Sequence, residues 1–172
     1  MPLDRLAALM FDLFNVNLAR ATIETMSRRA GERLLSFADA VRQLISLAPV
    51  KHLDETGFRI AKTLKWLHVA ATGWLTYYLI GADRGDMLIG VSGIVVHDHW
   101  QSYFTMPGVE HALCNAHHLR ELQALSEIEQ EDWSRRMQTL LRRACHVEHL
   151  YRDKQQAPDQ RLVDLIGRRY DA

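Results

Sequence analysis

The chain has 172 residues, about one ordinary domain, and a hydrophobic content of 48%, enough to build a core and to exclude a disordered chain. Its 21 basic and 21 acidic residues cancel, so no global field advertises a nucleic-acid or acidic partner. Apolar stretches are broken by charge or glycine before the roughly 20 residues that span a bilayer, and the N-terminus lacks a basic-then-apolar signal design. A cytoplasmic protein with no membrane partner is expected. Its cysteines, Cys114 and Cys145, are too few for a disulfide framework.

In chain order, Leu3, Leu6, Ala7, Met10, Leu13 and Phe14 recur at helical spacing until Asn15-Val16-Asn17 breaks the pattern. From Ile23 the apolar positions Met26, Ala30, Leu34, Phe37, Val41, Leu44 and Ala48 step by three or four, predicting a long amphipathic helix stopped by Pro49. The pair forms a helix-turn-helix-like unit, which reads as a DNA contact or simply as packing. After Pro49 the period changes to two. Val50–Ile60, Leu64–Thr72 and Trp74–Ile80 are predicted strands of an antiparallel meander, with Thr72-Gly73 as the second turn. A short helix is expected from Asp83 to about Val91, ended by Gly93, and Ile94-Val95-Val96 follows as an apolar strand of the doubly buried kind, a candidate to lie parallel to the first. Then come a short helix around Gln101–Phe104, a turn at Pro107-Gly108, a fifth strand Val109–Leu113 and a helix from Asn115 to about Leu125. Helices over Asp132–Val147 and Gln160–Arg169, separated by Gln155-Gln156-Ala157-Pro158, complete the chain. Three strands, helix, strand, helix, strand, helix is the order of a ribonuclease H-like α/β fold with a five-stranded mixed sheet. The expected organisation is a helical lead-in over 1–49, the core over 50–126 and a helical remainder over 127–172.

Asp54 lies midway along the first predicted strand and Asp98 at the end of the fourth, and in such a fold those strands are central neighbours. Two carboxylates so placed suit hard cations such as Mg2+ or Mn2+, although each Asp has the plainer use of capping a turn or helix. Cys114 and His117, with Cys145 and His149 downstream, allow a four-ligand zinc site to be written down. The alternative is that Cys114 is a small buried hydrophobe and that the motif positions the helix behind the pocket; zinc is not the expected metal. From Ser134 onward there are eight Arg and one Lys against five acids, which makes Arg135, Arg136, Arg142 and Arg143 candidates for phosphate contacts or for a solvated helix face.

His52 to Gly57, Trp66 to Ala70, Arg84-Gly85, His97-Asp98, Tyr103 and above all Ala112-Leu113-Cys114-Asn115-Ala116-His117-His118-Leu119-Arg120-Glu121-Leu122 resemble the catalytic core of bacterial DDE transposases of the insertion sequence sixty-six family. The likeness covers roughly Pro2 to Cys145, including the lead-in Pro2-Leu3-Asp4-Arg5. It implies a reaction in which metal-activated water cuts a phosphodiester at a transposon end and the freed 3′ hydroxyl attacks target DNA, with Asp54 and Asp98 as the first two members of an acidic triad holding Mg2+ or Mn2+. It also implies that DNA, as transposon ends and target, is the partner, and that residues 127–172 begin a helical insertion. The family's third carboxylate is a Glu in an N-x-x-E context, which this chain lacks. A truncated or remnant transposase, inactive alone, is therefore the expectation. Glu121, on the helix after the fifth strand, is the internal candidate for the third position.

The chain departs from the family at two points: His99 stands where Gly usually follows the second Asp, and Ala19 replaces a Ser that would cap the long helix, leaving Asn17 as a substitute cap. Arg84 and Arg120 are placed to reach DNA phosphate or a carboxylate. Competing readings are a non-catalytic partner of a full-length transposase or of a second copy, a self-sufficient metal-dependent nuclease using Glu121, and a zinc-stabilised binding module.

Overall fold

The computed structural model describes residues 2–85 and 90–171, so the helix expected between Asp83 and Val91 lies largely outside the described residues. Helix α1, Leu3–Phe14, closes on Asn15 in the left-handed region at φ 52°, with the amides of Asn15 and Val16 returning to the Phe11 and Met10 carbonyls. Asparagine tolerates that conformation because its short polar side chain bonds locally. Helix α2, Arg20–Leu47, starts from extended Ala19 with no side-chain cap, so the cap expected from Asn17 is not made. It stops where Ala48 turns extended, as the residue before Pro49 must to clear the proline ring.

Strands β1 (Val50–Ile60), β2 (Thr63–Ala71) and β3 (Thr76–Gly81) form the expected antiparallel meander. Ala61 and Lys62, at φ 47° and 70°, make the first turn, both positive as a hairpin twist requires. Strand β4 is Gly93–His97 and β5 is Val109–Leu113, with a 3-10 turn Gln101–Thr105 between them. The sheet is mixed, in the order β3-β2-β1-β4-β5. The chain leaves one edge at β3 and passes β2 and β1 before β4, the long connection that a ribonuclease H-like order demands. Gly93 opens β4, and at its φ of +80° any Cβ would lie 2.8 Å from the Pro49 carbonyl oxygen. Only Val95 of the three apolar residues in β4 is fully buried, so the strand is not the doubly buried run expected.

Helices α3 (Asn115–Ile128), α4 (Asp132–Asp153) and α5 (Gln160–Tyr170) follow, the last capped by the Asp159 carboxylate accepting from the Arg161 amide at 2.8 Å. Two compact units result: one runs to Val95 and adds Thr105–Glu110, the other holds Val96–Phe104 and the chain from His111 onward. In the first, Ile23, Val41 and Ile45 of α2 are buried with Leu53, Ala70, Val95 and Met106. In the second, Leu122 and Leu141 are buried with Ser126, Ser134 and Gln138 on the touching helices α3 and α4. The two hydroxyls donate back to carbonyls of their own chain segments, Gln123 and Glu131, and so let the helices meet over small side chains.

Candidate functional site

Strand alternation decides the surroundings of Asp54. Lys51, Leu53 and Glu55 point inward and His52, Asp54 and Thr56 outward. Asp54 is exposed, opposite Val69 of β2, and its Oδ1 accepts from the Glu55 amide at 2.9 Å. Behind it, Glu55 is 1% exposed at the side chain, and its Oε1 accepts from Nε and Nη2 of Arg84, each at 2.5 Å. The Arg84 guanidinium lies 5.2 Å over the Trp66 ring, so the planar cation is both forked and stacked. His68, paired with Glu55 across the strands and buried, places Nε2 3.0 Å from the Asp83 carbonyl oxygen. Lys51, also buried, donates to the Ser46 carbonyl at 3.0 Å and to the Ser92 carbonyl; burial pushes its pKa down. The inner face of the first unit is thus polar but paired, and it holds the strand from which Asp54 projects.

In the second unit Asp98 ends β4 in a turn in which its Oδ1 accepts from the Trp100 amide at 2.9 Å. The preceding His97 is 1% exposed, stacks on Tyr103 with ring centres 4.6 Å apart, and meets Phe104 edge-on. His97 Nδ1 donates to the Asp98 carbonyl, which only accepts, so neutral His97 takes a bond at Nε2 from Nδ1 of His111, 3.0 Å away. Its pKa is lowered, first by burial, against the opposing pull of the Asp98 carbonyl and carboxylate. His99 Nδ1 lies 3.3 Å from Glu121 Oε1, and its Nε2 lies 3.0 Å from His118 Nε2, with the two imidazoles stacked 4.7 Å apart. A carboxylate accepts at one nitrogen of His99, so the neutral ring accepts from His118 at the other. Burial, then the charge of His99, lowers the pKa of His118. Glu121, though 57% exposed, therefore reaches the loop that carries Asp98.

The Cys114 amide donates to the His97 carbonyl at 2.8 Å, and the Cys114 carbonyl accepts from the His117 and His118 amides, opening α3. Cys114 ties the helix to the end of β4 through its backbone, while His117 Nδ1 is buried without a hydrogen-bond partner among the described residues. Cys145 accepts from Asn115 Nδ2 at 3.4 Å, and His149 is exposed beside Glu148. Among the described residues no group of three or more His, Cys, Asp or Glu could hold a metal ion, so the four-residue zinc arrangement is not assembled. The oxygen donors of Asp54 and Asp98 suit hard cations in kind. Arg120, Arg135, Arg136, Arg142 and Arg143 are exposed, Arg135 weakly paired with Asp132 at 3.8 Å, whereas Arg84 is taken up by Glu55.

Sequence reasoning missed the imidazole pairs His97 with His111 and His99 with His118. Nothing in the spacing marks them, because a strand end, a loop and a helix start converge only in the fold. Compared with known families, the chain matches the Transposase IS66 family over residues 1–166. A comparison with curated proteins finds no match.

Proposed function

The chain belongs to the IS66 family of transposases, and on that premise we propose that Asp54 and Asp98 are the carboxylate ligands of a divalent-metal site for phosphodiester cleavage and strand transfer. What supports the pairing is the strand order: β1 and β4 are sheet neighbours, joined by the bond from the Ile94 amide to the Pro49 carbonyl at 2.9 Å. Asp54 lies within β1, and Asp98 is the residue that directly follows β4. Mg2+ or Mn2+, when bound, supplies Lewis-acid stabilisation of the attacking and leaving oxygens. The protein's own part is positioning. The Glu55–Arg84 pair holds β1 from the inner face, and the Trp100 amide fixes one oxygen of Asp98. DNA, as transposon ends and target, is the partner this reading requires, with Arg120, Arg135, Arg136, Arg142 and Arg143 as exposed phosphate contacts and Arg84 as a positioning residue. No helix among the described residues is long and apolar enough to cross a membrane.

One observation favours a second reading, in which Glu121 completes the acidic set: its link to His99 brings it to the loop of Asp98. Manganese-dependent nicking of terminal-repeat DNA tests both. Asp54→Ala and Asp98→Ala are each expected to lower the rate by about a hundredfold or more. Glu121→Gln is expected to match them if it is the third ligand, and to leave the rate within about twofold if it only steadies His99. Nicking that persists in both aspartate variants overturns the site.

A further inference from the structure

The second unit carries a groove that none of the preceding chemistry uses. Trp133, Arg136, Met137, Leu140 and Arg143 recur every three or four residues along α4 and so share one face of that helix. Helix α5 folds back on α4 and brings Arg169 and Tyr170, which lie beyond the span matched by the family, to the same opening. The groove has a volume of about 900 Å³, in the range of sites that enclose a small molecule or a few nucleotides.

Its walls combine two chemistries. Trp133 and Tyr170 are 50% and 53% exposed, so two aromatic side chains stay largely in water at the opening. Arg135, Arg136, Arg143 and Arg169 line it with no carboxylate among the lining residues. Only Arg135 has an acidic neighbour, Asp132 at 3.8 Å; Arg136, Arg143 and Arg169 make no ion pair among the described residues. Uncompensated guanidinium groups call for phosphate or carboxylate, and exposed aromatic planes call for a flat ring to stack on. An acidic peptide meets the first demand and not the second. A duplex offers phosphates but keeps its base faces stacked inside. A strand with unpaired bases meets both.

We infer that the groove between α4 and α5 is a binding site for unpaired DNA, its bases stacked on Trp133 and Tyr170 and its phosphates met by Arg136, Arg143 and Arg169. This rests on the reading of the chain as a DNA-handling transposase and adds to it a place where a strand is held open. Two of these groups, Trp133 and Tyr170, carry no charge, so this site differs from a general basic patch.

Fluorescence anisotropy of the whole chain with an oligothymidylate of about 15 nucleotides, and with a duplex of the same length, decides the matter. Single strand is expected to bind about tenfold more tightly than duplex, and Trp133→Ala to weaken the single strand about tenfold while leaving duplex affinity unchanged. Trp133→Phe should restore most of the loss, and Arg143→Gln should weaken binding and flatten its dependence on salt. Both positions are exposed, and an unchanged circular-dichroism melt establishes that the variants are folded. Equal affinity for duplex, equal loss of both forms in Trp133→Ala, or displacement of the oligonucleotide by oligoglutamate of the same charge overturns the inference while leaving the DNA reading standing. Failure to bind any DNA in either form overturns both.

Discussion

The two units hold their candidate aspartates by different means. Asp54 projects from the middle of a strand whose inner face is locked by the ion pair of buried Glu55 and by a buried lysine, with a hairpin partner at every position from His52 to Ile60. Asp98 follows a short strand and is held by an amide bond from Trp100, next to a stacked imidazole and in a loop reached by Glu121. A ladder fixes a carboxylate through the pairing of its strand; a strand end fixes it through a local turn and the side chains around it. The first arrangement should fail as a whole when its buried charge is exposed to imbalance, and the second should yield by degrees with protonation.

The largest effect is therefore expected from Arg84→Ala, which leaves the Glu55 carboxylate buried without that cation. A loss of about 3 kcal/mol is expected in denaturant unfolding. Amide exchange should rise in β1 and β2 and stay level in α3 and α4; an equal rise in all of them would erase the contrast between the units. Next comes Gly93→Ala, which sets a Cβ against the Pro49 carbonyl at a positive φ and should cost about 2 kcal/mol, again read by denaturation.

The smallest effect is the pH response of His97. Its folded pKa lies below the ordinary histidine value of about 6.5, so above that value both folded and unfolded states are neutral and its packing contributes fully. As pH falls below it, the unfolded chain takes up a proton that the folded chain resists, and stability declines until the folded pKa is reached. Thermal melts of the wild type should drop more between pH 7 and pH 5 than those of His97→Gln, a difference that localises the response to the second unit.

Most elements were legible because their periods are long and their punctuation is strong. Asn15, Pro49, Thr72-Gly73 and Pro107-Gly108 mark ends that the structure keeps to within a residue or two. Period-two alternation along β1 puts Glu55 on the face opposite Asp54. What could not be read was partner choice. Arg84 was equally suited to phosphate or carboxylate, and only the fold shows Glu55 beneath it and Trp66 under its plane. The close approach of the Pro49 carbonyl to Gly93, which forbids a side chain there, comes from a distant part of the chain that no local pattern marks. The His99, His118 and Glu121 cluster depends on a loop meeting a helix, which no local pattern encodes.

Lys51 carries a practical consequence. Among the chain's lysines, Lys62 and Lys154 are exposed and Lys65 half-buried, while Lys51 is sealed between the end of α2 and the approach to β4 by two carbonyls. An amine-reactive reagent will therefore label the other three at once and reach Lys51 only when that junction opens. The appearance of a label on Lys51 itself, located by peptide mass spectrometry, is then a clock for the opening of the helix-to-sheet joint, readable in the unaltered protein.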